Sequence, residues 1–331
     1  MSDQKIKPAF NAKRRIQLLF GFVLIAVVAS TGGWFFIAGK IDAIAESFIE
    51  QQAAAGYTIN CDSRDVRGFP FRFGLFCNSV SFSNPAQGLS FDAGSVRSAA
   101  QFYAPRDLIV ELDSPAQLQA KGTKPVWMDW SQMRARILAN DPLPQRVSIT
   151  GRQVAIGLDD SKTNARAESV EAFARVVDSD LDIAGRTAAF EFVDTIAQLD
   201  GLPALGADFD LRIVDGEQLL LGTRQSLRGF DIQLNRLALL LNPDRGILAS
   251  GPINVAENGL VSGTLSVRVI DVDAVSSTLT QALPDAAALI TAFANGQPRK
   301  GENQDEIELE ITINAGQARL GLIPIGTIPP L

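Results

Sequence analysis

Residues 16–38, IQLLFGFVLIAVVASTGGWFFIA, are 23 consecutive residues without a charge. As a helix they extend about 34 Å at ~1.5 Å per residue, enough to cross a hydrocarbon layer of ~30 Å. A run that is apolar all round and carries no charge argues against a helix of a soluble domain. A cleaved signal peptide is the closer competitor, because Val28-Ala29-Ser30 supplies small residues for a cleavage site. The apolar run nevertheless continues through Trp34 to Ile37, longer than a signal core, so the segment reads as a retained transmembrane helix.

Charge sets the expected orientation. Lys5, Lys7, Lys13, Arg14 and Arg15 stand against Asp3 before the span, while Lys40, Asp42, Glu46 and Glu50 follow it. Residues 1–15 are expected to be a basic cytoplasmic tail, with the main domain on the periplasmic side of the inner membrane. Trp34, Phe35 and Phe36 fall where an interfacial aromatic belt is expected. Ile41, Ile44, Ala45 and Phe48 recur at helical spacing, so residues 39–55 read as a helical stalk ending near Ala54, before Gly56.

The tail carries +4 and the whole chain −7, which leaves −11 on residues 16–331. An acidic body repels phosphate backbones, so nucleic acid is not an expected partner. The chain has no histidine. Ser-His-Asp and Cys-His nucleophilic machinery is therefore impossible, as are histidine-based zinc sites. No Gly-rich phosphate loop or nucleophile elbow is present. Asp178, Asp180 and Asp182 lack the glycine and glutamate of a calcium loop, with Ile183 and Ala189 at those positions, and read as a turn. Asp159-Asp160 reads as a loop. No catalytic, cofactor or metal residue is expected, and the chain is read as a non-enzyme.

Two-residue alternation dominates residues 56–331, read as one β domain. Ile307, Leu309, Ile311 and Ile313 alternate with Glu306, Glu308, Glu310 and Thr312. Leu265–Val269, Ile232–Leu234, Val154–Leu158, Val170–Val176 and Phe209–Ile213 repeat the pattern. Asp215-Gly216, Asn258-Gly259 and Ala315-Gly316 are hairpin signals. LRIVDGEQLLLG (211–222) and ITINAGQARLGL (311–322) both read as strand, turn, strand. Two helices are expected: Val272–Asn295, kinked or broken at Pro284, and a weaker one over Met128–Leu138. Loops are expected near Asp159–Asn164 and Gly296–Asn303.

Cys61 and Cys77 are the two cysteines. Their midpoint, residue 69, falls in Arg67-Gly68-Phe69-Pro70 between two extended runs. A hairpin centred there sets the cysteines opposite each other, and a structural disulfide is expected.

The fold class is mainly β: an antiparallel, hairpin-rich sheet with few helices. Each alternating strand has an apolar face that must be covered. Two short helices cannot cover a dozen strands, so the sheet either doubles over as a packed sandwich or curves into a trough open to a lipid or acyl chain. Trp127 and Trp130 fit a core or a lipid-lining role. Phe69, Phe71, Phe73 and Phe76 fit a core or a membrane- or partner-facing patch.

Several stretches resemble the DUF2125 family of alphaproteobacterial envelope proteins. They are Gly56 through Val66-Arg67-Gly68-Phe69-Pro70-Phe71-Arg72, both cysteines, Tyr103-Ala104-Pro105, and Gly321 to Pro330. The strand-rich layout also looks like AsmA-type envelope proteins, which couple an anchor to extended β structure and lipid traffic. The resemblances imply an envelope role and bring no catalytic residues. The leading expectation is a tethered protein that binds a lipid chain or serves envelope biogenesis. A ligand-free scaffold for another envelope protein is the alternative, and an envelope hydrolase with paired carboxylates the third.

Overall fold

The computed structural model describes residues 12–158, 163–193, 202–224, 226–284, 287–300 and 305–331. Most of the N-terminal tail, Asp159-Asp160 and residues 301–303 lie outside them.

Helix α1, Ala12–Ala54, runs unbroken for 43 residues. The expected span and stalk are thus one rod. It is long and apolar enough to cross a membrane and fits single-pass anchoring.

Beyond α1 the chain makes one antiparallel sheet of 20 strands. The first ten come as five broken pairs: β1 (Thr58–Cys61) with β2 (Asp65–Arg67), β3 (Arg72–Cys77) with β4 (Val80–Asn84), β5 (Leu89–Ala93) with β6 (Val96–Gln101), β7 (Ala104–Leu112) with β8 (Ala116–Gln119), and β9 (Val126–Asp129) with β10 (Gln132–Leu138). One arm joins β2, β3, β6, β7 and β10; the other joins β1, β4, β5, β8 and β9. The five breaks therefore align as a crease across the sheet. Gly94 lies on it because a Cβ there would meet the Asp113 carbonyl at 2.7 Å.

Strand β11, Arg146–Gly157, reunites the arms, pairing with β10 along 146–152 and with β9 along 155–157. Straight strands then follow in chain order: β12 (Ala165–Val177), β13 (Asp180–Phe192), β14 (Leu205–Ile213), β15 (Phe230–Asn242), β16 (Arg245–Val255), β17 (Val261–Ile270), β18 (Glu306–Asn314), β19 (Gln317–Leu320) and β20 (Ile323–Thr327). Each pairs with its chain neighbour.

The apolar side of the sheet is covered in patches. Trp130 is buried in the crease with Ala93, Ala116 and Val154, and its indole N–H donates to the Leu112 carbonyl at 2.8 Å. Trp34 and Ala38 of α1 pack on Phe73 at the first edge. The short helix α2 (Glu217–Leu220) and its flanks bring Leu219 and Leu227 onto Leu181, Ile213 and Phe230. Helices α3 (Val272–Ala282) and α4 (Ala287–Gly296) cover Val269, Ile307 and Leu309. Among the described residues all 20 strands belong to one continuous sheet, folded over along the crease and partly exposed on its apolar side beyond it.

Four local expectations need correction. Met128–Leu138 is strand, not helix: Met133, Ala135 and Ile137 are half-buried while Arg134 and Arg136 are exposed, a period of two that outweighs helical propensity. Asp215-Gly216 does not turn a hairpin but leads into α2, so the likeness of 211–222 to 311–322 dissolves. Asn258-Gly259 lies in a longer connection, closed by the Ala256 N–H donating to the Leu260 carbonyl at 2.9 Å. Of the three expected turns, Ala315-Gly316 makes a two-residue turn, with both residues at positive φ as that turn requires. The break at Pro284 is present between α3 and α4; Ala286 and the Leu289 side chain lie outside the described residues.

The disulfide also forms by a different geometry. The Cys61–Cys77 bond is present with a Cα–Cα distance of 5.2 Å. Its hairpin is centred between Pro70 and Phe71, so Cys61 faces Val80 in the ladder, not Cys77. The chain bends at residues 62–64 and 78–79, and the bond ties the two strands diagonally across the crease.

Candidate functional site

Alternation and pairing register together sort the sheet into two chemically opposite faces. In the paired registers from β10 to β18, one face carries apolar side chains or glycine, with Thr187 the exception. Ala135, Ile149, Ala172, Gly185, Phe209, Leu237, Ala249, Val267 and Leu309 form one row across nine strands of it. The Thr187 hydroxyl is buried without a hydrogen-bond partner.

The other face carries an ion-pair lattice. Arg136 binds Asp107 at 2.6 Å, Arg186 binds Glu171 at 2.7 Å, and Asp182 receives both Arg175 at 2.9 Å and Arg212 at 2.6 Å. Cross-strand pairs of this kind fix register and keep the face wet. The arginine hydrogen bonds hold the Asp107 and Asp182 carboxyls below the usual carboxylate range, and Lys300 does the same for Glu308.

The apolar face is left open in its middle. Ile149, Phe209, Leu237 and Leu239 are 39%, 37%, 44% and 49% exposed. A soluble core would bury such side chains almost completely. Phe209 lies across Gly185, where a Cβ would approach its ring to 2.5 Å; the missing side chain lets the phenyl group lie flat on the sheet. Beneath α3 and α4 the same face forms a half-open apolar pocket of about 220 Å³ lined by Ile247, Val267, Leu279, Phe293 and their neighbours. An open band thus runs from the crease toward a pocket under two helices. Leu237 and Leu239 were not legible as part of it. RLALLLN reads as an unbroken apolar run, and the bulge between Leu234 and Leu237 shifts its phase.

Among the remaining candidates, Trp130 is core and Trp127 is half-buried on β9. Asp178 and Ser179, both at positive φ, turn the β12–β13 hairpin, while Asp180 accepts the Asp215 N–H at 3.0 Å. Among the described residues, no group of three Cys, Asp or Glu side chains is arranged to hold a metal. The four phenylalanines divide: Phe73 is buried on Trp34, Phe76 lies under the Arg67 guanidinium at 5.1 Å, and Phe69 and Phe71 are exposed.

The family described as "Uncharacterized protein conserved in bacteria (DUF2125)" matches residues 34–329. The chain belongs to this family. The match opens at Trp34, the residue that docks α1 on β3, so the DUF2125 unit comprises the docked part of the helix and almost all of the sheet. No curated protein matches the chain.

Proposed function

We propose that this DUF2125 protein is a non-enzymatic component of the bacterial cell envelope, anchored in the inner membrane by α1, with its sheet on the periplasmic side holding lipid acyl chains along the apolar face. The carrying observation is the open band of Ile149, Phe209, Leu237 and Leu239 on a face whose other regions are covered. A band of this width left to water is unfavourable by ~25 cal/mol per Å², and an acyl chain laid along it removes that cost. The polar face supports the same reading. Its charges are spent on cross-strand pairs, with Asp107, Asp182 and Glu308 each held by an arginine or lysine.

The test is the lipid retained by the purified full-length chain, quantified by mass spectrometry. A Phe209→Asp/Leu237→Asp variant keeps the same anchor, so lipid bound around α1 is common to both. The reading expects the variant to retain less phospholipid at unchanged circular dichroism; equal retention overturns it.

A scaffold reading has its own observation. β20 is a sheet edge among the described residues on which Ile323 and Ile325 are exposed, with Leu322 exposed in the turn before it, a surface suited to strand addition by another protein. Ile325→Lys separates the two readings, because it blocks that edge and leaves lipid retention unchanged.

A further inference from the structure

The point where α1 meets the sheet carries six exposed rings that neither the apolar band nor the core uses. Phe35, Phe36, Phe69, Phe71, Phe102 and Tyr103 are each between 51% and 70% exposed. They come from α1, the β2–β3 turn and the β6–β7 turn, and five of them fall into two contacting groups, Phe35 with Phe69 and Phe71 with Phe102 and Tyr103. Phe69 lies 5.6 Å from Trp34 and 6.3 Å from Phe35; Phe102 lies 6.3 Å from Phe71 and 5.4 Å from Tyr103.

Their height is fixed by the helix. The Trp34 ring stacks on Phe73 at 5.7 Å, and its indole N–H donates to the Arg72 carbonyl at 2.8 Å, which clamps the β2–β3 turn to α1. Trp34 is therefore protein core, not the free interfacial anchor its sequence position suggests. Between Arg15 and Trp34 lies an uncharged stretch, residues 16–33, about 27 Å long at ~1.5 Å per residue, against a hydrocarbon layer of ~30 Å. With Arg15 at one boundary, the clamp brings both turns to the other. Lys40 is 5.8 Å from the Phe36 centroid, and the exposed Arg72 and Arg106 follow the two turns in the chain. Aromatic rings backed by cations match the interfacial layer, where phosphates lie above the acyl boundary.

We propose that these six rings seat the sheet in the interfacial layer of the membrane that α1 crosses, on the side of the β domain. The sheet is then held at a fixed tilt on the bilayer by three attachment points rather than swinging on one helix. The apolar face at Phe73, Ala100 and Leu108 begins at the lipid surface, and on the acyl-chain reading this is where a chain enters. The seating itself does not rest on that reading.

The chain has two tyrosines, which makes the test direct. Tyr103 is in the collar, whereas Tyr57 follows the end of α1, stacked on Phe82. Ala54 is already about 27 Å from Phe36 along the helix at ~1.5 Å per residue. The full chain labelled with 3-fluorotyrosine gives two fluorine resonances in phosphatidylcholine nanodiscs, assigned with Tyr103→Phe. Adding 5-doxyl phosphatidylcholine should broaden Tyr103 several-fold more than Tyr57. The Phe209→Asp/Leu237→Asp variant should retain that broadening, so that loss of seating and loss of lipid in the band are read separately. Equal broadening of the two resonances, or broadening of Tyr103 by a water-soluble gadolinium chelate instead of the lipid, overturns the proposal.

Discussion

The creased region, residues 58–157, and the straight region from β12 to β18 use the same strand chemistry and reach opposite ends. From β1 to β10 the strands break in pairs at the same line, and β11 alone spans it. The two arms close on each other, and Trp130, Ala93, Ala116 and Val154 are buried by sheet alone. In the straight region strands of 9 to 13 residues run without a break, and nothing folds back. Apolar side chains there are covered where α2 or the α3–α4 pair lies on them, and at the ends of the strands, as at Val170 against the crease core and at Val255 and Val261. Alternation specifies which face is apolar; breaks decide whether that face becomes core.

Substitutions should reproduce this contrast. Trp130→Ala removes a buried indole and its bond to Leu112 and should cost about 3–5 kcal/mol in urea unfolding of the detergent-solubilised chain. Replacing both cysteines with serine opens a loop of 16-residue separation and should cost about 3 kcal/mol, lost equally by reduction of the parent chain. On the polar face of the straight region, Asp182→Asn should cost about 1 kcal/mol, since its pairs are partly exposed. The Asp182 carboxyl titrates below its ordinary value of 3.8, chiefly through the Arg212 hydrogen bond. Its contribution is therefore full above about pH 4 and is lost as pH falls through the lowered pKa. The urea midpoint of the parent should fall more between pH 5 and pH 2 than that of the variant. The smallest effect is expected in the open band: Leu237→Ala should cost under about 1 kcal/mol, because little is buried there to lose. A cost near that of Trp130→Ala would mean that the straight region is packed and would erase the comparison.

Much of this was legible in the sequence. The unbroken apolar run gave α1, and its helical continuation ended at Ala54 as the spacing predicts. Alternation gave strands, their apolar faces and the break at Pro284. The missing parts are non-local. Nothing in the spacing of Cys61 and Cys77 reports the bend that joins them diagonally. Met128–Leu138 reads as a helix, and only its pairing with β11 through both β9 and β10 makes it strand. Phe102 and Tyr103 are distant in sequence from Phe71 and become its neighbours only through pairing of β3 with β6. The open band could not be chosen over a packed sandwich because the two have identical patterns along each strand; they differ in what covers the face.

The most direct test of that open face is photocrosslinking in native membranes with p-benzoylphenylalanine placed singly at Ile149, Phe209, Leu237 and Leu239, and at Thr150, Arg186 and Asp210 on the polar face. The account predicts phospholipid adducts by mass spectrometry at the first four positions and none at the last three. Adducts absent from both faces, or present equally on both, would contradict it.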